Sequence, residues 1–163
     1  MATESQTRVT FWGAARTVTG SMHLVEVGKQ KFLLDCGFYQ GKRAEAWARN
    51  KDFPFSPSDI DAVVLSHAHI DHCGNLPNLV RRGFKGPIHC TPATRDLIAV
   101  MLADSAKIQE EDAGHLNRHR RPDEPPIEAL YDLREVRRTM KQARSVPYET
   151  PHEIGKGVAV RFV

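Results

Sequence analysis

The chain has 163 residues, of which 40% are hydrophobic and 26% are charged, and its formal net charge is +3. This composition is typical of one globular domain with a packed core, and the slight positive charge is compatible with an anionic substrate without requiring one. No run approaches the roughly 18 apolar residues of a membrane helix, and the polar residues 1–7 favour a cytoplasmic location. Three cysteines without CxxC spacing indicate neither a disulfide framework nor a Cys-rich zinc site, and we expect them to be small buried residues.

The first third of the sequence predicts short strands separated by glycines. Strands are expected over residues 8–12, 22–27 and 30–35. The dipeptide Gly28-Lys29 marks the turn between the second and third strands. A fourth apolar run, residues 62–66, is short and uniformly apolar, which indicates a strand buried on both faces. This strand leads directly into His67.

Helices and strands alternate in the rest of the chain. Helices are expected over residues 76–82, after Thr91, and around Leu133, Val136 and Met140, and strands over residues 86–90 and 158–163. Thr91 is suited to cap the second helix, with Pro92 at its first position. Apolar residues recur there at helical spacing, at Leu97, Ile98, Met101, Leu102 and Ile108. The pattern predicts an α/β fold.

Four side chains suited to metal binding lie close together in the segment His67-Ala-His69-Ile-Asp71-His72. Imidazole nitrogens and carboxylate oxygens form a ligand set that zinc favours, and manganese or iron can replace it. In an extended chain that bends at Asp71, side chains project to both sides, so that one loop can serve two neighbouring ions. We therefore predict that His67, His69, Asp71 and His72 bind metal.

Two such ions would make this loop part of a hydrolytic centre. Paired divalent ions lower the pKa of a bridging water and stabilise charge on the attacked group, so that phosphoesters, thioesters and amides are all suitable substrates. Asp71 is the candidate catalytic residue, because its carboxylate can orient that water or accept its proton. The alternatives are a histidine-rich surface loop or a structural metal site. A helix that sets His67 and Asp71 four residues apart is disfavoured by the preceding strand and by Pro77.

The segment resembles the HxHxDH loop of the metallo-β-lactamase superfamily. Asp35, which closes the strand in Phe32-Leu-Leu-Asp-Cys-Gly37, is similar to the first motif of that family. The glycine-rich segment Gly13–Ser21 is similar to the β-CASP branch, which contains RNA-processing nucleases. Residues 104–111, 117–121 and 125–128 also resemble bacterial members of this branch, so the resemblance covers nearly the whole chain.

The resemblance implies a fold, a cofactor and a substrate. The fold would be α/β (α+β), the N-terminal half of a metallo-β-lactamase αββα sandwich. Two zinc ions would be bound in the full-length protein, one by His67 and His69 and the other by Asp71 and His72. Asp35 would support this loop through hydrogen bonds and bind no metal. The substrate would be RNA, cleaved at phosphodiester bonds by an endonuclease or an exonuclease.

The same resemblance implies that residues 1–163 are a partial domain. The histidine that usually follows the strand at 158–163, the later bridging aspartate and the β-CASP insert have no counterpart in this sequence. Each ion would keep two protein ligands, where three or four are usual. We expect an N-terminal fragment of a longer nuclease, with weak or partial zinc occupancy and little activity of its own. His152 is a poor substitute ligand, because it precedes the last strand in a loop.

Two other functions stay open at this level. One is a glyoxalase-like thioesterase or another small-ester hydrolase of the same fold. The other is a non-catalytic RNA-binding scaffold, against which the presence of all four loop residues argues. A fragment that exposes half of a sandwich core is also expected to self-associate. Neither Trp12 nor Tyr39 forms an evident base-stacking platform in the sequence.

Overall fold

The computed structural model describes residues 6–163. Its centre is a six-stranded sheet in which the strands lie side by side in chain order. The strands are β1 Thr7–Phe11, β2 His23–Val27, β3 Gln30–Leu34, β4 Ala62–Val64, β5 Ile88–Cys90 and β6 Ala143–Ser145. The pairs β1–β2 and β2–β3 are antiparallel, and the pairs β3–β4, β4–β5 and β5–β6 are parallel. The expected α/β fold is confirmed.

Helices supply the connections that parallel strands need. They are α1 Arg43–Lys51, α2 Ile70–Cys73, α3 Leu76–Arg81, α4 Pro92–Arg118 and α5 Leu133–Gln142, with a 3-10 turn at Pro57–Asp59. Because each crossover returns the chain to the start of the next strand, the carboxyl ends of β3, β4 and β5 lie at one edge of the sheet. The residues that follow these strands are therefore neighbours in space.

The two long helices begin at side-chain caps. The Thr91 hydroxyl accepts a hydrogen bond from the backbone nitrogen of Thr94 at 3.2 Å, as the sequence predicts for the start of α4. At the start of α5, Asp132 and Glu135 form a capping box, in which the backbone nitrogen of Asp132 donates to the Glu135 carboxylate at 3.2 Å. These hydrogen bonds satisfy backbone donors that have no partner within either helix.

One face of the sheet packs against the helices. Leu33, Val63 and Ile88 occupy paired positions on β3, β4 and β5, and all three are fully buried. They share a core with Leu79 of α3 and Ile98 of α4. Burying each such side chain contributes about 1.5–3 kcal/mol, so this layer holds the helices on the sheet.

A small hairpin covers part of the opposite face. Its strands are β7 His152–Gly155 and β8 Val158–Val160, which pair antiparallel. Gly155 lies against the ring of Phe32, whose side chain points away from the helical core because strand residues alternate in direction. Gln30 exchanges two hydrogen bonds with the backbone of Lys156, at 2.7 and 3.1 Å. The hairpin is thereby fixed to β3.

The structure corrects several element predictions. The last strand ends at Val160, and His152 lies in a strand where a loop is expected. The sequence patterns do not predict α1, because its residues are almost all polar or small, nor the short strands β6 and β7. In α4, Leu97 and Ile108 are more than half exposed, since the buried stripe runs through other positions.

The three cysteines are buried, and some large apolar side chains are exposed. Cys36, Cys73 and Cys90 are buried and form no disulfide, which confirms their interpretation as small core residues. Phe11 at the edge strand β1 is 65% exposed. Self-association through such residues stays a prediction. Within residues 6–163, no helix is long and apolar enough to cross a membrane.

Candidate metal centre

The histidine loop begins at the carboxyl end of β4. His67 lies three residues beyond Val64, and His69 is the residue that precedes α2. The backbone nitrogens of His72 and Cys73 both donate to the His69 carbonyl, at 2.9 and 3.0 Å. The predicted extended course up to Asp71 is therefore wrong. The helical turn starts one residue earlier, at Ile70, because these hydrogen bonds close a turn on His69.

This transition from loop to helix brings the predicted ligands together. The ring centroids of His67 and His72 are 4.0 Å apart, and those of His67 and His69 are 4.6 Å apart. The Nε2 atom of His72 lies 3.8 Å from a carboxylate oxygen of Asp71. His69 is exposed, and the other three side chains are half-buried. The four residues thus form one cluster that solvent can reach.

Asp35 joins this cluster to the end of β3. Its Oδ2 atom lies 2.8 Å from Nδ1 of His72. Its Oδ1 atom accepts hydrogen bonds from the backbone nitrogen and the hydroxyl of Ser66, both at 2.8 Å. The Ser21 hydroxyl donates to Oδ2 at 3.0 Å. A buried carboxylate surrounded by donors in this way holds the histidine loop in place.

The backbone of Asp35 is also constrained. Its φ angle is +59°, in the left-handed region that few residues other than glycine adopt and in which aspartate and asparagine are enriched. The backbone nitrogen of Asp35 donates to the Val64 carbonyl at 2.9 Å, so the turn stays attached to β4. The carboxylate is thereby aimed along the sheet edge at Ser66 and His72.

Backbone contacts fix the helical turn from the other side. The carbonyl oxygen of Asp71 accepts a hydrogen bond from the backbone nitrogen of Ser21 at 2.8 Å, and that of His72 accepts one from Cys36 at 2.8 Å. A Cβ atom at Gly37 would overlap the Asp71 carbonyl, so only glycine fits this close approach. The Asp71 and His72 backbones are held between these two segments.

The electrostatics of the loop favour neutral imidazole at His67. Burial lowers the pKa of His67 below its ordinary value, and the neighbouring rings of His72 and His69 lower it further. A metal ligand must present an unprotonated nitrogen, so this environment favours the metal-binding form.

The residues fit part of a metal centre. His72 uses Nδ1 on Asp35, which leaves Nε2 for an ion, and such a carboxylate partner is usual for a histidine that binds metal. Three imidazoles and a carboxylate are a zinc-type donor set. Among the described residues, however, no group of three or more histidine, cysteine or carboxylate side chains is arranged to hold an ion. The loop supplies ligands without forming a closed site.

Two further histidines, His89 and His152, lie outside the histidine loop. The ring of His152 lies 5.0 Å from that of His89 on β5. His89 lies on a strand, as expected. Ser21 and Ser66 both donate to Asp35, and neither is a predicted site residue. The position of Ser66 in the sequence could have indicated its role. It lies between the buried strand and His67, at the sheet edge where Asp35 follows the neighbouring strand.

Comparison with known proteins identifies the family. Residues 15–153 match the Metallo-beta-lactamase superfamily. The chain is 49% identical to Ribonuclease TTHA0252 of Thermus thermophilus over 105 residues, and this aligned stretch covers 64% of the chain and 24% of the relative. It is 32% identical to Transcription termination factor FttA of Cenarchaeum symbiosum over 160 residues, and this aligned stretch covers 97% of the chain and 23% of the relative.

A eukaryotic relative is similar over a shorter stretch. The chain is 34% identical over 117 residues to Integrator complex subunit 11 of Danio rerio, which covers 68% of this chain and 19% of the relative. The chain thus spans a quarter or less of the length of these curated relatives. Because the family match covers most of its residues, the chain belongs to the metallo-β-lactamase superfamily, and its motifs resemble those of the β-CASP branch.

Proposed function

We propose that this chain carries the histidine-loop half of a two-zinc centre that hydrolyses phosphodiester bonds in RNA. The observation that supports the proposal most directly is the clustering of His67, His69, Asp71 and His72 around the end of β4, with Asp35 bound to His72. A loop without a metal function has no need of a buried carboxylate to orient one of its histidines. Similarity to a protein named as a ribonuclease supports RNA as the substrate.

The proposed ligands divide into two pairs. His67 and His69 would bind one ion through ring nitrogens, and Asp71 and His72 would bind the other, His72 through Nε2. Asp35 would bind no ion, because its two oxygens already accept hydrogen bonds from Ser66 and Ser21 and contact His72. Its part would be to fix the direction of the His72 ring.

The chemistry is that of hydrolysis. Zinc ions, when bound, lower the pKa of water and stabilise the charge that develops on a phosphoryl oxygen. Asp71 would orient the attacking water through its half-buried carboxylate and accept its proton at Oδ2, the oxygen that lies 3.8 Å from His72. The exposed side chain of His69 lies where a large polymer can approach.

We also propose that the loop is not a complete site. Two protein ligands for each ion are fewer than the three or four of ordinary zinc sites. Further ligands would come from other parts of a longer protein, and the 163-residue chain would bind zinc weakly and cleave RNA little or not at all. A cytoplasmic location belongs to the same proposal.

The metal content of the chain tests the ligand assignment. Zinc is titrated into the 163-residue chain, and the bound metal is measured by elemental analysis after gel filtration. His69→Ala should reduce the bound zinc, because it removes one of two ligands for one ion. His115→Ala is the matched control, since His115 is an exposed histidine on α4. Equal zinc content in the wild type and His69→Ala would refute the assignment.

The substrate class needs a separate measurement. Binding of a fluorescein-labelled oligoribonucleotide to the chain is followed by anisotropy in the presence of EDTA, so that neither zinc nor cleavage is required. Binding in the micromolar range that weakens with added salt is expected of an RNA-binding surface. Absence of binding at low salt would contradict RNA as the substrate and leave the metal assignment standing.

A further inference from the structure

A cavity of about 290 Å³ lies beside the histidine loop, between the glycine-rich segment after β1 and the segment after β3. Its lining includes Trp12 and Thr17 on one side and Tyr39 and Arg49 on the other. These residues lie far apart in the sequence, and the sequence alone does not show that they share a site. None of the described residues that line the cavity is acidic.

The glycine-rich side of the cavity has a strained backbone. Ala14 and Arg16 have φ angles of +51° and +61°, which non-glycine residues rarely adopt. Such strain persists only where the surroundings enforce it, and it is common at ligand-binding sites. Here the Thr19 hydroxyl accepts a hydrogen bond from the backbone nitrogen of Gln40 at 2.9 Å, which ties the loop to the opposite side of the cavity. The cavity is therefore preformed.

Flat groups that can stack line the cavity. The guanidinium of Arg49 lies 4.1 Å from the centre of the Tyr39 ring. Glu45 holds both, since it accepts a hydrogen bond from the Tyr39 hydroxyl at 3.0 Å and pairs with Arg49 at 2.9 Å. The Trp12 side chain is 45% exposed, although a large aromatic side chain gains free energy by burial. An exposed indole beside a stacked tyrosine and arginine is suited to a planar ligand.

The cavity adjoins the predicted metal ligands. Gly37 lines it, and the backbone of Gly37 lies in contact with the Asp71 carbonyl. Ser21 directly follows the strained loop, and its backbone nitrogen donates a hydrogen bond to the same carbonyl at 2.8 Å. A ligand that fills the cavity therefore lies next to the segment that would bind the second ion.

We infer that this cavity binds one unpaired base of a single-stranded RNA, close to the phosphodiester bond that is cleaved. The inference rests on the proposed function and adds a base-binding subsite to it. Stacking on Trp12 accepts any base, because every base has a flat face. The Arg49 guanidinium has five N–H donors and uses Nη2 on Glu45, so its other donors can bind the adjoining phosphate. A volume near the lower limit for ligand pockets suits a single ring system better than an extended ligand.

Tryptophan fluorescence tests this inference directly. The chain has two tryptophans, so that Trp47→Phe leaves Trp12 as the only strong emitter. The probe is a 2′-O-methyl oligoadenylate, which resists cleavage, and EDTA is present. Stacking should quench Trp12 in this variant. The reciprocal variant Trp12→Phe, in which only Trp47 emits, should show no quenching.

An abasic oligomer of the same length separates base stacking from phosphate binding. It should bind without quenching Trp12, and equal quenching by both oligomers would overturn the inference. Trp12→Ala should weaken oligoadenylate binding about fivefold or more, and Trp12→Phe should retain most of the affinity, because a phenyl ring still stacks. Circular dichroism establishes that both variants are folded.

The Trp12 fluorescence test distinguishes the base subsite from the proposed metal centre, because it requires neither zinc nor cleavage. If Trp12 is quenched but the chain binds no zinc, the base subsite stands and the metal proposal fails. If the labelled oligomer binds by anisotropy and Trp12 emission is unchanged, the base lies elsewhere and this inference is overturned, while RNA binding stands. Absence of any oligomer binding overturns the subsite together with the RNA substrate.

Discussion

The Oδ2 atom of Asp35 lies 2.8 Å from Nδ1 of His72, across 37 residues of sequence. The contact links the carboxyl end of β3 to the helical turn after β4. A histidine whose Nδ1 is occupied in this way presents Nε2 in one direction, which is what a metal ligand requires.

Asp35→Asn should weaken zinc binding by about 10- to 100-fold, the usual effect of removing a partner of a metal-bound histidine. Asparagine has nearly the same shape and tolerates the positive φ angle of Asp35, so the substitution removes the charge with little change in the backbone. Zinc affinity is measured by competition with a chelating dye.

A matched carboxylate provides the control for this variant. Asp59 is exposed and forms a surface ion pair with Lys31 at 3.2 Å. Asp59→Asn should leave the zinc affinity unchanged. A similar loss in both variants would mean that the effect comes from net charge and not from the contact with His72.

The four loop residues could be predicted from the sequence because they are local: His67, His69, Asp71 and His72 lie within six residues. The supporting role of Asp35 is implied by the family resemblance, since its contact with His72 spans 37 residues. The start of the helical turn at Ile70 could not be predicted, since it depends on two hydrogen bonds to the His69 carbonyl and on the contact with Gly37.

Features that depend on distant residues were not accessible to sequence analysis. Trp12 and Tyr39 share a cavity only because the loop after β1 is tied to the segment after β3. His89 and His152 are 63 positions apart in the sequence and meet when the β7–β8 hairpin covers the sheet. Short or polar elements such as α1 and β6 carry too few apolar residues to show a period.

Ser66→Ala should destabilise the protein by about 1–2 kcal/mol. The hydroxyl of Ser66 donates to Asp35 and lies 3.0 Å from Nδ1 of His67, so its removal leaves a buried carboxylate with one donor fewer. Denaturant unfolding measures the change. Ser58→Ala is the control, because Ser58 is exposed and its hydroxyl pairs with another exposed serine, and it should change the free energy of unfolding by less than about 0.5 kcal/mol.

Gly37→Ala should disturb the histidine loop more than the same substitution at a glycine with free space around it. The added Cβ would overlap the carbonyl of Asp71, which is backbone and can move only if the helical turn moves. We expect a loss of about 1–3 kcal/mol in the free energy of unfolding and weaker zinc binding.

Gly114→Ala is the control for the glycine variant. Gly114 lies in α4, where the nearest heavy atom to an added Cβ is the end of the Arg118 side chain at 4.0 Å. Alanine should stabilise this helix by about 0.5–1 kcal/mol. If both variants changed stability and zinc binding in the same way, the close approach of Gly37 to Asp71 would not be the cause.

His89 should make the stability of the protein fall in mild acid. Burial lowers the pKa of His89, and His152 and Arg144 lower it further. Below about pH 6.5 the unfolded chain binds a proton at this histidine more readily than the folded chain does, so the free energy of unfolding decreases by up to about 1.4 kcal/mol per pH unit. Neither ring nitrogen has a hydrogen-bond partner among the described residues, so His89→Phe should fold and should flatten the pH dependence just below about pH 6.5. Urea unfolding in EDTA measures this slope, and His115→Phe, at an exposed position, should leave it as in the wild type.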